Sequence, residues 1–305
     1  MGVTVVVSYF YYIIIIYKFP FLFVNMLNPP LSLLSDDLLD SIVDQVAKLP
    51  FPEESLDNLC LADRAFIQSC QKYIFRKLKL GSYEKRTSIR LKKVKKILDD
   101  NPSFANRVRM IEVGISKEEN ASVFNDPNFT GILQLFSKLP IPPHELHFRG
   151  ISLYMVIEDP LLVTRQLAES FFSQTLTILR LEDILRVPLP LFLICPRLKE
   201  VFLDIVEATD KSYDTYPDNY CSGRDAPLLE VLKYRNSHSL VEQMITPPPR
   251  LNIPVVIWSN LRVLTVTPYD KEGMAYLQPI LDAACNTLEE LYLTGMAMGD
   301  CKVVF

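Results

Sequence analysis

The chain has three histidines, and two of them stand in His144-Glu145-Leu146-His147, residue types that would suit a divalent metal. On a strand, residues three apart face opposite sides and cannot converge on one ion; on a helix they can. Pro142-Pro143 leaves both conformations open, but no third ligand lies nearby, so no metal is expected. A second candidate chemistry is phosphate binding by Lys85, Arg86, Arg90, Lys92, Lys93, Lys95 and Lys96, seven cations within twelve residues. No aromatic residue interleaves to stack on bases. Ile89, Val94, Ile97 and Leu98 form a sparse apolar stripe, the pattern of a helix with one solvated face, so nucleic acid is not an expected partner. Neither a G-x-G-x-x-G turn nor a P-loop occurs, and no serine stands in a nucleophile elbow. No cofactor and no enzymatic activity are therefore expected.

The elements that position these residues must fit within 305 residues, enough for one large domain or two ordinary ones. With 32 Lys+Arg against 36 Asp+Glu the net charge is -4, so no overall basic field exists. The six cysteines, Cys60, Cys70, Cys195, Cys221, Cys285 and Cys301, include no C-x-x-C pair and are expected to be reduced, mostly buried thiols.

Residues 1–30 stand apart. Of the first 27 residues 21 are apolar, and Lys18 is the only charge before Asp36. The uncharged run from Val3 to Tyr17 falls short of the roughly 20 residues a bilayer span requires. It also lacks the basic flank and small-residue cleavage site of a secretory signal. Two readings stand: translation begins at Met26 and the upstream stretch is a gene-model artefact, or residues 3–27 anchor the protein to a membrane. Membrane contact is expected only there, and the protein otherwise in cytoplasm or nucleus.

Residues 31–80 follow helical spacing. Ser35 can cap a helix whose first turn carries Asp36 and Asp37, and Leu38, Leu39, Ile42, Val43 and Val46 repeat at three and four. Leu49-Pro50-Phe51-Pro52 breaks it. A second short helix is expected from Ser55 to Ala62, and a third from Asp63 to Leu78 burying Phe66, Cys70, Tyr73, Ile74 and Phe75. Three helices of this size bury only a small core, which points to a partner.

The stretch Leu34-Ser35-Asp36-Asp37-Leu38-Leu39 resembles the L-P-x-E-L-L opening of the F-box. Leu59-Cys60-Leu61-Ala62-Asp63-Arg64-Ala65-Phe66 is similar to its second signature, and Tyr73-Ile74-Phe75-Arg76-Lys77-Leu78 to the ending seen in fungal, basidiomycete-type F-box proteins. Ser35 stands where that family usually has proline, and Phe66 where it more often has tryptophan. The resemblance implies binding to the adaptor subunit of a cullin-RING ubiquitin ligase, through Leu34, Ser35, Asp37, Leu38, Leu39, Leu61, Arg64 and Phe66. In such proteins a basic helix, here residues 81–105, links the F-box to leucine-rich repeats.

Over residues 106–305 the pattern apolar-x-x-apolar-x-apolar recurs, as Val108-x-x-Ile111-x-Val113, weakly as Leu146-x-Phe148, and as Leu176-x-x-Leu179-x-Leu181. It continues as Leu198-x-x-Val201-x-Leu203, Leu229-x-x-Leu232-x-Tyr234, Leu261-x-x-Leu264-x-Val266 and Leu288-x-x-Leu291-x-Leu293. The last five start 22, 31, 32 and 27 residues apart, which brackets a leucine-rich-repeat period. Alternate residues of a short strand need stacked neighbours to cover them, and the stretches from Pro160 to Phe172 and Lys271 to Cys285 read as helical returns. The expected fold is α + α/β: a small three-helix F-box followed by an irregular leucine-rich-repeat-like α/β solenoid. The Tyr213 to Asp225 stretch reads as an insertion loop, Pro247-Pro248-Pro249 as a stiff spacer, and Phe305 as an ending without a polar closing repeat.

The central outward position of successive repeats belongs to Arg180, Phe202, Lys233, Thr265 and Tyr292, the expected client-binding residues. The combined reading is a substrate receptor of a ubiquitin ligase, in which the F-box binds the adaptor and the repeats hold an unknown protein client. The alternative is a leucine-rich-repeat scaffold without adaptor binding, membrane-anchored if residues 3–27 serve that role.

Overall fold

The chain divides into two units, residues 1–74 and 75–305. A computed structural model describes residues 35–49, 52–81, 87–116, 120–151, 155–208, 225–246, 253–267, 276–294 and 301–304. Leu34, Lys85, Arg86, Cys221, the apolar N-terminal segment, the triple proline and nearly all of the Tyr213 to Asp225 stretch lie outside these residues.

In the first unit, α1 spans Asp36–Val46, and Leu39, Val43 and Val46 turn inward at helical spacing. Ser35 occupies the cap position, but its carbonyl, not its hydroxyl, takes the first amides, those of Leu38 and Leu39. The helix α2, Pro52–Ala62, begins at proline, whose missing N–H costs nothing at a helix start. A single tight turn follows, Arg64–Phe66, capped by the Asp63 carboxylate, which accepts the Ala65 N–H at 2.9 Å. Then comes α3, Ile67–Ile74. The core is small: Leu39, Val43, Val46, Leu56, Phe66 and Cys70. Asp40 ties α1 to α3 through Lys72 and Ser69, and Tyr73 donates to Asp44.

The third helix therefore stops short of the expected Leu78. Lys77–Leu80 is instead a strand, β1, on the sheet of the second unit. Leu78 and Leu80 alternate with Lys77 and Lys79, a period of two that buries Leu80 on that sheet. The expected boundary at residue 80 moves accordingly.

The second unit holds a ten-stranded sheet built by α/β crossovers. After β1 come α4 (Thr87–Asp100), α5 (Pro102–Ala105), β2 (Met110–Ile115), α6 (Asn120–Asn125), α7 (Pro127–Ser137), β3 (Glu145–Gly150) and β4 (Met155–Val156). They are followed by α8 (Pro160–Val163) running into a π-helix (Thr164–Phe172), β5 (Ile178–Val187), α9 (Pro190–Ile194), β6 (Glu200–Ala208) and β7 (Val231–Arg235). The series ends with α10 (His238–Ile245), β8 (Val263–Thr267), α11 (Leu277–Ala283), β9 (Glu290–Leu293) and β10 (Cys301–Val304). Strand order follows chain order, with β4 pairing β5 to one side, and only β10 runs antiparallel, on the edge of β9. A doubly wound sheet would reverse direction partway, and this one does not.

All seven motif strands are present and share one register. Ile111, Leu146, Leu179, Val201, Leu232, Leu264 and Leu291 are successive partners across neighbouring strands and are all buried. Each strand entry also repeats one geometry. The carbonyls of Arg76, Arg109, His144, Thr177, Lys199, Glu230 and Arg262 each accept two consecutive amides from the next strand.

Side chains from α4, α7, α9, α10 and α11 join this buried face in a single apolar cluster. The basic helix is thus not a linker: Leu91 and Leu98 of α4 enter the main core, with Val94 packed beside them. The expected stripe is rotated, and Ile89 and Ile97 face outward. At Gly131 an added Cβ would lie 2.6 Å from Lys95 Cε, so the bare backbone of α7 leaves room for the Lys95 stem of α4. Among the expected buried thiols, Cys70 and Cys195 are buried, Cys60 is half-buried and Cys285 is exposed.

The strands β5 and β6 are longer than the others because each bends and resumes, β6 once and β5 twice, the second time at Arg186 with a φ of 64°. Asp183, Ile205 and Asn236 occupy equivalent places on β5, on β6 and just past β7, with φ of 56°, 55° and 49°. The bend shifts the inward phase by one residue, so Ile184 and Val206 point into the core after Leu181 and Leu203.

Candidate functional site

The face of the sheet opposite the core carries three rows of side chains, because alternate residues of every strand point the same way. The middle row reads Lys79, Glu112, His147, Arg180, Phe202, Lys233, Thr265 and Tyr292. The five client-binding residues expected from the repeats are thus consecutive neighbours on β5 to β9. Three residues upstream continue the row: Glu112 holds the same place in the Val108 motif, whereas the motif at His147 is weak and Lys79 falls where the spacing predicts helix.

Phe202 lies between two cations. The Arg180 guanidinium carbon stands 3.9 Å from the ring centroid and the Lys233 ammonium 5.3 Å away. Arg180 Nε donates to Glu145 at 2.6 Å. Lys233 is exposed and forms no ion pair among the described residues. A groove of about 290 Å³ runs along this row, lined in part by His147, Arg180, Phe202, Lys233 and Thr265. At the far end of the row the Tyr292 hydroxyl donates to Glu290 on its own strand.

The charges beside the groove are matched across strands. His147 faces Glu112 through Nδ1 at 3.3 Å and Glu182 through Nε2 at 3.1 Å, joining β2, β3 and β5. His147 and His144 do not converge on a common ligand, and no cluster of metal-ligating side chains occurs among the described residues. Burial pushes the Glu112 carboxyl up, but hydrogen bonds from His147 and Lys77 outweigh it and hold the group at about 2. Arg235 makes a forked pair with Asp204, and Arg149 meets Glu182 at 3.1 Å. Asp183 goes the other way, its carboxyl raised by burial and by neighbouring Glu182 and Asp204.

A half-exposed aromatic ring, an unmatched lysine and hydroxyls are held on rigid strands, with the remaining charge neutralised.

On the first unit the described residues expected to bind an adaptor separate into two groups. Ser35, Asp37 and Arg64 are exposed, Leu38 is 40% exposed and Leu61 85% exposed. Leu39 and Phe66, at 4% and 3%, lie in the core of the unit, so they build it and offer no contact surface. The resemblance implied contact at both groups, but the apolar helical spacing at Leu39 also serves internal packing, and sequence does not separate the two. Leu49, not singled out from the sequence, is a further exposed leucine. No helix among the described residues is long and apolar enough to cross a membrane.

No protein-family model matches the chain, and no curated protein matches it.

Proposed function

We propose that the protein is a substrate receptor of a cullin-RING ubiquitin ligase. The first unit is an F-box-like module that binds the adaptor subunit, and the second is a leucine-rich-repeat-like solenoid whose open face holds a protein client. The observation that carries this reading is Leu61, a large apolar side chain left almost wholly in water at the end of α2 of a unit with a six-residue core. Leu38 and Leu49 are partly exposed on the same unit; covering Leu61 with a partner recovers about 1.5–3 kcal/mol, and these two contribute less. The repeated strand register supports the solenoid, and the Arg180, Phe202, Lys233 row supports client binding. In this reading the partner subunits perform the transfer and this chain supplies no catalytic residue.

The test is a pull-down of the full chain with a fungal adaptor subunit beside the variant Leu38→Asp/Leu61→Asp, whose exposed positions leave the core intact. Capture of the first with loss of the second is the expected result; equal recovery of both, or of neither, rejects adaptor binding. A second reading, a leucine-rich-repeat scaffold without adaptor binding, draws support from the burial of Leu39 and Phe66, which removes two of the eight family contact positions. It predicts no capture and an unchanged client face.

A further inference from the structure

A surface helix of a globular protein needs one apolar stripe, and α4 has two. Leu91, Val94 and Leu98 face the core, while Ile89 and Ile97 stand on the outer side, 55% and 51% exposed. Eight residues place these isoleucines on one outward face, about 12 Å apart along the axis. Lys93 lies between them, and Arg90, Lys92 and Lys96 flank them. All four cations are exposed, and none forms an ion pair among the described residues. Lys95, by contrast, is neutralised by Asp99 at 2.6 Å. Asp100 also lies on that side, against four cations without an ion pair among the described residues, so the patch is positive within a chain of net charge -4. Burial of Leu91 and Leu98 in the core, with Val94 beside them, fixes which face of α4 turns outward.

We propose that this face of α4 docks on an anionic lipid bilayer, the cations meeting the headgroups and Ile89 and Ile97 entering the acyl boundary. The charge alone would suit any polyanion, and the isoleucines decide between them. A nucleic acid would reward the cations but leave both isoleucines in water, and the face has no aromatic ring to stack on a base. A bilayer rewards both kinds of side chain, as it does for interfacial amphipathic helices. Each Lys or Arg near an anionic membrane contributes about fivefold in binding.

The experiment is co-sedimentation of the full chain with vesicles of phosphatidylcholine alone and of phosphatidylcholine mixed with phosphatidylserine. Lys93→Gln/Lys96→Gln and Ile89→Ser/Ile97→Ser are run beside it, each checked for an unchanged thermal melt. The apolar residues 3–27 are present in every variant, so any binding they cause is a shared baseline on neutral vesicles. The expected result is a salt-sensitive preference for the mixed vesicles that falls about 25-fold in the lysine variant, fivefold per charge, and several-fold in the isoleucine variant. Equal binding to both vesicle types overturns the proposal. So does retention of duplex DNA that depends on the lysines, with no vesicle preference and no effect of the isoleucines.

Discussion

Ser237 Oγ accepts the backbone N–H of Val206 at 3.0 Å and donates to the carbonyl of Arg235 at 2.8 Å, so one buried hydroxyl stitches the bend in β6 to the end of β7. The bends that make this contact are the left-handed residues Ile205 and Asn236. At Ile205 a β-branched side chain holds a backbone region it disfavours, and the neighbouring strands must hold it there.

Replacing Ser237 by alanine leaves the Val206 N–H buried without its partner. The expected loss is about 1–3 kcal/mol of unfolding free energy, read by urea denaturation. A change under about 0.5 kcal/mol would show that the hydroxyl contributes nothing there.

The stacking of Arg180 on Phe202 predicts an energetic coupling between the two. A cycle of Arg180→Met, Phe202→Leu and the double variant is expected to give about 0.5–1 kcal/mol, the range for a partly exposed cation over an aromatic ring. Additive single effects would mean that the two side chains are merely adjacent.

Glu112 predicts a particular acid response. Its carboxyl titrates at about 2 in the folded chain against an ordinary 4.5, so between these values the unfolded chain binds the extra proton. The stability it supplies is complete above about pH 5 and is lost as pH falls toward 2. Glu112→Gln is expected to be less stable than wild type by about 2–3 kcal/mol at pH 7, with the gap closing across that window in a series of urea midpoints. A gap that stays constant through the acid range would contradict the assignment.

Leu291 sits in the buried row on β9, and Leu291→Asp places a carboxylate there without a partner. The expected cost is several kcal/mol, seen as new protease cleavage within residues 261–294 while the earlier strands keep their protection. Unchanged protease resistance would remove Leu291 from the core.

The repeats were legible in the sequence because the strand motif states its own periodicity: its second and third apolar positions are rows in the sheet, the first leads into each strand, and Leu277, Ile280 and Ala284 face inward. What escaped detection depends on register or backbone sign. Glu112, His147 and Glu182 come together only because β2, β3 and β5 align, which no local window records. The bends at Asp183 and Ile205 carry no glycine to mark them. Lys77–Leu80 was lost to helix because the preceding Tyr73-Ile74-Phe75 continues a helical run, and four residues are too few for their alternation to outweigh it. The rotation of α4 escaped for a related reason: Ile89, Leu91, Val94, Ile97 and Leu98 allow two stripes, and only packing against α7 selects one.

The orderly march of strands has an evolutionary reading. Since the strands of the sheet succeed one another in chain order, with β4 alone set to one side, duplicating or deleting one strand with its crossover would leave the pattern of pairing as it was. The length of this protein's open sheet face is therefore a number that gene rearrangement can change in whole steps, without inventing a new topology.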